Sequence, residues 1–580
     1  MIIQVLPIKR LPRQLDFFDY KVPDSLVHAI KEGQLITIPF RKKIIYGLVF
    51  AICTGEQTNP NSTLLEIETI VHEEAFFSVE HMNFFANMSA FYGVSPATLA
   101  KLSMLPLQKR KLQNISLSPF FSEIKKDETK LPKSILYKDE QEHADFLRNI
   151  CKDSAVIFVP ELRLIEKVQQ LLGTDYADRI VTWHSKLSTK EQFERWIAIR
   201  NRQKDIVITT KAGVFLPFQG VQHLVIDYEH DQNHKQWDQQ PRFHVKDVAG
   251  YVAHMQHSQL YFSSYSMSVD TYYHVQKGIY KIQDRKLTDS EILFTKRDRA
   301  PIVVEPTREI GARHFSALTS AIREKIIQAA QKHKDIFIFV NKKGYAPSSQ
   351  ETNQFGIGTQ TVEAELRNID ASLLGGYAIV RMEKESTPTI NEDSPRILIG
   401  TIAAFAHVRW EHTDLIVFLD VDRQLSLAEL YSSEDVWHMI HNTLYNMHEN
   451  AVFFIQSKLS EHFLIRSLTE PDRFYRTELH ERSLVKYPPY SYLVRYITDS
   501  ADMEQVKKYY DTIKHTLTEH KKRAIISNLF KLEGSTAIED GLLAFTIKLP
   551  PDSTAIIKEL NKHIPAGWKV DPQPLTLLGI

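Results

Sequence analysis

The sequence predicts a multidomain α/β protein with a β-rich N-terminal domain, two tandem parallel-sheet lobes and a C-terminal α+β domain. Three observations predict this. The chain has 580 residues, too many for one hydrophobic core, which implies roughly three to five domains. From residue 134 to about 470, compact apolar runs alternate with helical periodicity, the pattern of strands covered on both faces by crossover helices. On either side of that stretch the pattern changes, to short alternating strands before it and mixed elements after it.

Residues 1–107 read as strands at Ile2–Pro7, Gln34–Pro39 and Ile44–Ile52, the last two joined by a basic turn, Arg41-Lys42-Lys43. A helical stretch ending in FYGVSPATLAKLSMLP follows. Residues 108–133 are polar and Lys-rich, as a linker would be. In residues 134–290 the apolar runs are AVIFVP (155–160), DIVITT (205–210), HLVIDYEH (223–230) and QLYFSSYS (259–266). In residues 291–470 they are DIFIFVN (335–341), GYAIVRM (376–382), RILIGT (396–401), DLIVFLDVD (414–422) and AVFFIQS (451–457). Two such lobes in tandem are the layout of a helicase motor. Residues 471–580 read as α+β with a late helix at Thr554–His563.

Composition narrows the function classes. Apolar residues make up 43% and charged residues 24% with no low-complexity tract, the balance of an ordinary globular protein. Lys plus Arg and Asp plus Glu are 71 each, so no molecular field draws in a polyanion and any nucleic-acid site is local. Cys53 and Cys151 lie far apart in apolar runs, which suits buried thiols and excludes a cysteine-built zinc site. The N-terminus lacks the apolar core of a signal peptide, and no stretch reaches about 18 uninterrupted apolar residues. The expectation is a cytoplasmic protein that does not engage a membrane. Glycine is scarce, 20 in the chain, which matters because phosphate-cradling loops need it.

Several tracts, taken in order, resemble the bacterial primosomal helicase family PriA. In the first domain they are Leu11-Pro12-Arg13, Phe18-Asp19-Tyr20-Lys21-Val22-Pro23, Ile38-Pro39-Phe40, Tyr46-Gly47-Leu48-Val49, Tyr92-Gly93-Val94 and Leu105-Pro106. The first lobe adds Val159-Pro160-Glu161, Trp183-His184-Ser185, Phe215-Leu216-Pro217-Phe218, Ile226 to Asp231, and Arg242-Phe243-His244. The second lobe adds Phe339 to Pro347, Gly356 to Thr359, Arg396 to Thr401 and Leu419 to Asp422, and the C-terminal domain opens with Glu481-Arg482 and Tyr487-Pro488-Pro489-Tyr490. The resemblance implies a 3′-end DNA-binding domain followed by two RecA-like lobes. It implies that Asp19 faces the base of a 3′-terminal nucleotide, with Arg41, Lys42 and Lys43 near phosphates. Read from the residues alone, Asp19 could equally start a turn and the three cations could be a solvated hairpin tip.

The same resemblance exposes what is missing. A P-loop motor needs G-x-x-x-x-G-K-[ST], whose backbone N–H groups wrap the phosphates, whose Lys reaches the β/γ oxygens and whose hydroxyl holds Mg²⁺. The chain contains no Gly-Lys dipeptide, and after the strand Ser134-Ile135-Leu136-Tyr137 it reads Lys138-Asp139-Glu140-Gln141-Glu142-His143. The family's Asp-Glu-x-His appears as Asp227-Tyr228-Glu229-His230, with Glu229 expected on the opposite face of the strand from the missing acid. Its Gly-Ser-Ala-Thr appears as Ser263-Ser264-Tyr265-Ser266, and its Gly-Thr-Gln-Met tract as Gly400-Thr401-Ile402-Ala403. The arginine finger is lost from NTLYNMHE at 442–449, and the cysteine-rich insertion after Pro347 is reduced to SSQETNQFG. Lys138, Asp227, Glu229 and His230 therefore mark a degenerate nucleotide site with no catalytic residue. ATP and Mg²⁺, expected in the family, and zinc are expected to be lost, so no cofactor is assigned. His230, His234 and His244 beside Asp227 and Asp231 lack zinc-like spacing.

Three readings follow. One is a pseudo-helicase that binds DNA forks or 3′ ends in replication restart, with DNA and other replication-restart proteins as partners. Another is a divergent ATP-dependent 3′-to-5′ helicase, and the third is a protein-interaction scaffold in replication or repair.

Overall fold

A computed structural model describes residues 1–9, 17–53, 64–112, 114–120, 130–282, 300–306, 316–341, 357–369, 374, 377–383, 394–427, 429–500, 502–519, 524–532, 542–565 and 567–577. The tracts at 11–13 and 342–356 lie outside the described residues.

The N-terminal strands β1 (Ile2–Pro7), β2 (Phe18–Lys21), β3 (Leu35–Phe40), β4 (Lys43–Cys53) and β5 (Thr69–Ile70) form an antiparallel sheet in the order β2-β1-β4-β3-β5. Alternation places Ile3, Val5, Ile36, Ile38 and Val49 in one core. The sheet curls until β2 reaches β3 through its inward residues: the Tyr20 hydroxyl donates to the Pro39 carbonyl at 2.9 Å. Two helices follow, α1 (Val79–Tyr92) and α2 (Pro96–Ser103). Ser78 caps α1 through the His81 N–H, and Gly93 ends it in the left-handed conformation (φ 63°) that a Cβ would disfavour. In the segment expected as a linker, a short helix α3 (Lys109–Leu112) forms, and Leu112, Ile115 and Leu117 are buried.

The first lobe runs β6 (Lys133–Leu136), α4 (Glu140–Ile150), β7 (Ala155–Phe158), α5 (Leu162–Leu172), β8 (Ile180–Trp183), α6 (Thr189–Arg200), β9 (Ile206–Thr209), β10 (His223–Asp227), α7 (Val245–Gln256), β11 (Gln259–Ser264), α8 (Val269–Gln276) and β12 (Lys281–Ile282). Its seven strands are all parallel, in the order β12-β6-β11-β10-β7-β9-β8. The strand β8 was not among the expected runs, because four residues at a sheet edge carry too little pattern to read.

The second lobe runs β13 (Ile302–Val304), α9 (Ser320–Gln331), β14 (Asp335–Val340), α10 (Thr359–Arg367), β15 (Ala378–Met382), β16 (Arg396–Gly400), β17 (Thr413–Leu419), α11 (Val421–Leu425), α12 (Ser432–Asn446), β18 (Val452–Gln456), α13 (Phe463–Arg466) and α14 (Pro471–Val485). Its six parallel strands follow the order β13-β18-β17-β14-β16-β15. The five apolar runs read from the sequence are β14 to β18, with β15 at the sheet edge. On α12, Trp437 stacks on Phe474 of α14 at 4.2 Å. The C-terminal domain is antiparallel, with β19 (Tyr492–Thr498), α15 (Met503–Glu519), β20 (Ile525–Ile526), β21 (Phe530–Lys531), β22 (Leu543–Leu549), α16 (Thr554–Lys562) and β23 (Lys569–Pro572). This is the α+β end that the sequence predicts.

The chain divides into two compact units, residues 1–284 with 482–580, and residues 285–481. Within the first unit the N-terminal domain, first lobe and C-terminal domain share one hydrophobic core. Buried polar contacts fix their seams. The Trp196 indole N–H donates to the Ser103 carbonyl at 2.7 Å, and the Asn561 amide donates to the Ala90 and Phe91 carbonyls at 2.9 and 2.6 Å. The Lys235 ammonium reaches the Arg242 carbonyl at 2.7 Å and the Asp571 carboxylate at 2.9 Å. Among the described residues no helix is long and apolar enough to cross a membrane.

Candidate functional site

At the C-terminal end of the first lobe's sheet, where open parallel sheets place ligands, the loop after β6 is closed by its own side chains. Asp139 caps α4 by accepting the Glu142 N–H at 2.9 Å, while the Glu142 carboxylate accepts the Lys138 N–H at 2.9 Å. Two backbone donors of the kind that would face a phosphate are thus already bonded to carboxylates. Lys138 contributes its backbone N–H to this closure, and no described residue pairs with its ammonium.

Asp227, at the end of β10, is fully buried and surrounded by donors. Its Oδ1 accepts from Ser263 Oγ at 2.8 Å, from the Tyr228 N–H at 3.1 Å and from the Tyr137 hydroxyl at 3.3 Å. Its Oδ2 is hydrogen-bonded to His143 Nε2 at 2.9 Å. His143 comes from the first turn of α4, is itself fully buried, and stacks on Tyr137 with ring centroids 4.0 Å apart and planes 9° from parallel. Tyr228 meets both rings edge-on, at 5.7 Å from His143 and 6.4 Å from Tyr137, and Tyr265 closes on Tyr137 and Tyr228 at 6.3 and 5.9 Å. The carboxylate that the motif would turn toward a metal is instead the polar centre of an aromatic cluster. Nothing in this arrangement leaves it an open coordination position facing solvent.

Glu229 corrects the sequence reading. The strand ends at Asp227, Tyr228 takes a left-handed backbone (φ 52°), and Glu229 therefore falls in the following turn and not on the opposite strand face. It is buried, accepting from Lys246 Nζ at 2.5 Å and from the N–H and hydroxyl of Ser268 at 2.7 and 2.9 Å. Burial by itself would raise this carboxyl; the Lys246 ammonium and the Ser268 donors outweigh burial and hold it below the usual range.

The histidines disperse to separate partners. His230 Nδ1 bonds Ser264 Oγ at 2.6 Å, His234 Nε2 meets the Asp227 carbonyl at 2.9 Å, and His244 Nδ1 caps α7 at the Lys246 N–H, 3.1 Å away. Burial pushes His234 down to about 4 and His244 well below its ordinary value. Among the described residues no three His, Cys, Asp or Glu side chains are grouped to hold a metal. Of the sequence-derived nucleotide-site residues, the structure thus makes Asp227 a buried hub and leaves Lys138, Glu229 and His230 with partners of their own. The residues that close the site, Tyr137, His143, Ser263 and Lys246, were not singled out for that role. Each is unremarkable until its strand or helix end is placed beside Asp227. Cys151 is buried, as read, but Cys53 at the end of β4 is only half-buried.

In the N-terminal domain Asp19 sits within β2, exposed, opposite Gln4 of β1, and it does not start a turn. Phe18 and Tyr20 face the core. The Phe18 ring meets Phe40 edge-on at 5.3 Å, which links the Asp19 strand to the base of the β3–β4 hairpin. The basic turn is shorter than read. Arg41 and Lys42 alone make it, and Lys43 already pairs with Phe40 as the first residue of β4. Asp19 points to the face opposite Phe18, so Phe18, and not Asp19, touches the base of the hairpin.

Residues 5–106 match the sequence profile of the PriA 3′DNA-binding domain (3′BD). Among similar proteins, the replication restart protein PriA of Bacillus subtilis is 22% identical over 63% of this chain, and the aligned part is 52% of its own length. PriA of Helicobacter pylori strain J99 is 24% identical, covering 80% of this chain and 82% of its own. PriA of Rickettsia felis is 21% identical, covering 82% and 84%. The chain spans about half of the first of these and most of the other two. A solved structure of RecG bound to a three-way DNA junction aligns over 70% of this chain and 53% of its own with 12% identity and a TM-score of 0.36, too distant to carry an argument. The ordered tracts, the match of residues 5–106 to the 3′DNA-binding domain and the relatives that align over most of its length make this chain similar to the PriA replication restart proteins.

Proposed function

We propose that this chain holds DNA forks or 3′ ends in replication restart without turning over ATP, working in the cytoplasm beside other replication-restart proteins. One observation carries the proposal: Asp227 is enclosed by His143, Tyr137 and Ser263 with no exposure to solvent. Mg²⁺ held through that carboxylate would have to displace three side chains, and the triphosphate would meet the carboxylates of Asp139 and Glu142 where a P-loop supplies N–H groups. The matched 3′DNA-binding domain supports the DNA half of the reading. In it, Asp19 is the base-facing residue, and Arg41, Lys42 and Lys43 lie along the phosphates.

The test is fluorescence anisotropy of the purified chain with a fork bearing a free 3′ end against one with that end blocked, at two salt concentrations and with or without ATP. Preference for the free end, weakened by salt and indifferent to ATP, is the expected result. DNA-stimulated ATP hydrolysis would overturn the motor-less reading. Failure to bind at low salt would overturn the DNA reading and leave an interaction scaffold. Asp19→Ala is expected to remove about tenfold of the free-end preference, the size of one lost base contact, with little effect on the salt slope. An unchanged preference in that variant would remove Asp19 from the site.

A further inference from the structure

From residue 81 to residue 122 the sequence holds no Asp or Glu, yet that stretch carries Lys101, Lys109, Arg110 and Lys111. A chain with 71 acids in 580 residues would ordinarily place several there, so the positive charge is a local excess in a molecule with no net charge of its own. The stretch joins the N-terminal domain to the first lobe. Three of its cations lie past residue 106, where the match to the 3′DNA-binding domain ends.

The fold gathers these charges beside one helix. Ser103, the last residue of α2, accepts the Trp196 indole N–H at 2.7 Å, and the Lys111 ammonium of α3 lies over the Phe193 ring, 5.0 Å from its centre. Phe193 and Trp196 are three residues apart and neighbour each other on one face of α6, so the end of α2 and α3 rest on adjoining turns of the same helix. The chain after α3 is pinned. Leu112, Ile115 and Leu117 are buried, and the Asn201 side chain donates to the Ser116 carbonyl at 2.8 Å while accepting the Ser118 N–H at 3.0 Å. Lys101, Lys109 and Arg110 are exposed, and among the described residues none of the four cations has a carboxylate partner. The acids of α6 are already engaged, Glu191 with Ser188 and Arg195, and Glu194 with Lys190. The four charges are therefore held on a fixed segment and left to an outside anion.

What that anion is follows from what the segment lacks. Residues 93–119 contain no Phe, Tyr or Trp, so they offer no ring on which an unpaired base could stack, as single-strand sites do. Cations without stacking partners suit a ligand that turns its bases inward and its phosphates outward. A duplex does this, presenting one negative charge per roughly 1.7 Å of its axis. We propose that Lys101, Lys109, Arg110 and Lys111 hold the sugar-phosphate backbone of the duplex arm of a bound fork, in a contact separate from the 3′-end site. The inference rests on the DNA-binding reading above and extends it to a second surface. It also gives the segment between the domains a reason to be packed and not loose: cations fixed to the first lobe hold the arm in one place.

The test is K101Q/K109Q/R110Q in the full chain, which removes three exposed charges and leaves Lys111 on Phe193 and the buried anchors in place. Two probes are compared, a fork with a free 3′ end and a short single strand with the same free 3′ end. The thermal midpoint is expected to stay level. Fork affinity is expected to fall about tenfold or more near physiological salt, and the slope of log affinity against log salt to shrink by about two to three, since each phosphate contact contributes roughly 0.9. The single strand is expected to bind the variant and the unaltered chain alike, and the preference for a free over a blocked end is expected to stay. A folded variant with unchanged fork affinity and slope overturns the duplex contact. An equal loss on the single strand overturns it too, because the patch would then attract any DNA. If the triple variant does not fold, Lys109→Gln and Arg110→Gln are each expected to reduce the fork slope by about one, and unchanged slopes in both overturn the contact. The two proposals fail differently. If the unaltered chain binds no DNA, both fall; if it binds and the variants match it on the fork, only the duplex contact falls.

Discussion

Asp227→Ala is expected to destabilise the first unit by about 3 kcal/mol or more, the cost of leaving buried donors without their charged acceptor. In P-loop motors the carboxylate that follows such a strand holds Mg²⁺. Here the carboxylate receives Ser263 Oγ, the Tyr228 N–H, the Tyr137 hydroxyl and His143 Nε2, so its loss strands four groups inside an aromatic cluster. Urea unfolding followed by far-ultraviolet circular dichroism measures the difference, provided the denaturant slope is unchanged. Neither the unaltered chain nor the variant is expected to gain stability from Mg-ATP, because a ligand that binds only the native state raises stability with concentration and this pocket is filled. A neutral Asp227→Ala, together with ATP-dependent stabilisation of the unaltered chain, would show the site to be open.

Arg200→Ala is expected to have an effect of similar size, about 3 kcal/mol or more, by separating the N-terminal domain from the first lobe. Arg200 ends α6 and is fully buried. Its guanidinium donates to the Ala75 carbonyl at 2.7 Å, to Ser118 at 3.1 Å and to Phe76 at 3.2 Å, and lies 3.4 Å from the centre of the Phe120 ring. Truncation leaves three carbonyls across the seam without this donor and opens a cavity where the side chain lay. Arg200→Met, which keeps much of the volume, is expected to recover the packing part of the loss but not the hydrogen bonds. Unfolding curves of the three proteins check this, and early proteolytic release of residues 1–107 from Arg200→Ala would locate the damage at that seam. If Arg200→Met equals the unaltered chain, packing alone holds the seam.

The sequence by itself determined the architecture. Runs such as AVIFVP and DLIVFLDVD are apolar at successive positions because both faces of a parallel strand are covered, so they read as strands without knowledge of their neighbours. The absence of Gly-Lys and the Asp227-Tyr228-Glu229-His230 tract are equally local facts. Only the tertiary structure decided what surrounds Asp227. Tyr137, His143, Ser263 and Asp227 are spread over about 130 positions of sequence, and β6, β10, β11 and the start of α4 bring them together. The side-chain hydrogen bonds between them have no period or spacing along the chain. Glu229 was misread for the same reason: its face depended on where β10 ended, and the left-handed Tyr228 ended it one residue too early for strand alternation to apply. Periodicity records burial along a segment, and burial is what apolar sequence encodes. Pairing between polar groups on different segments is set by how those segments pack, and that became visible only in the fold.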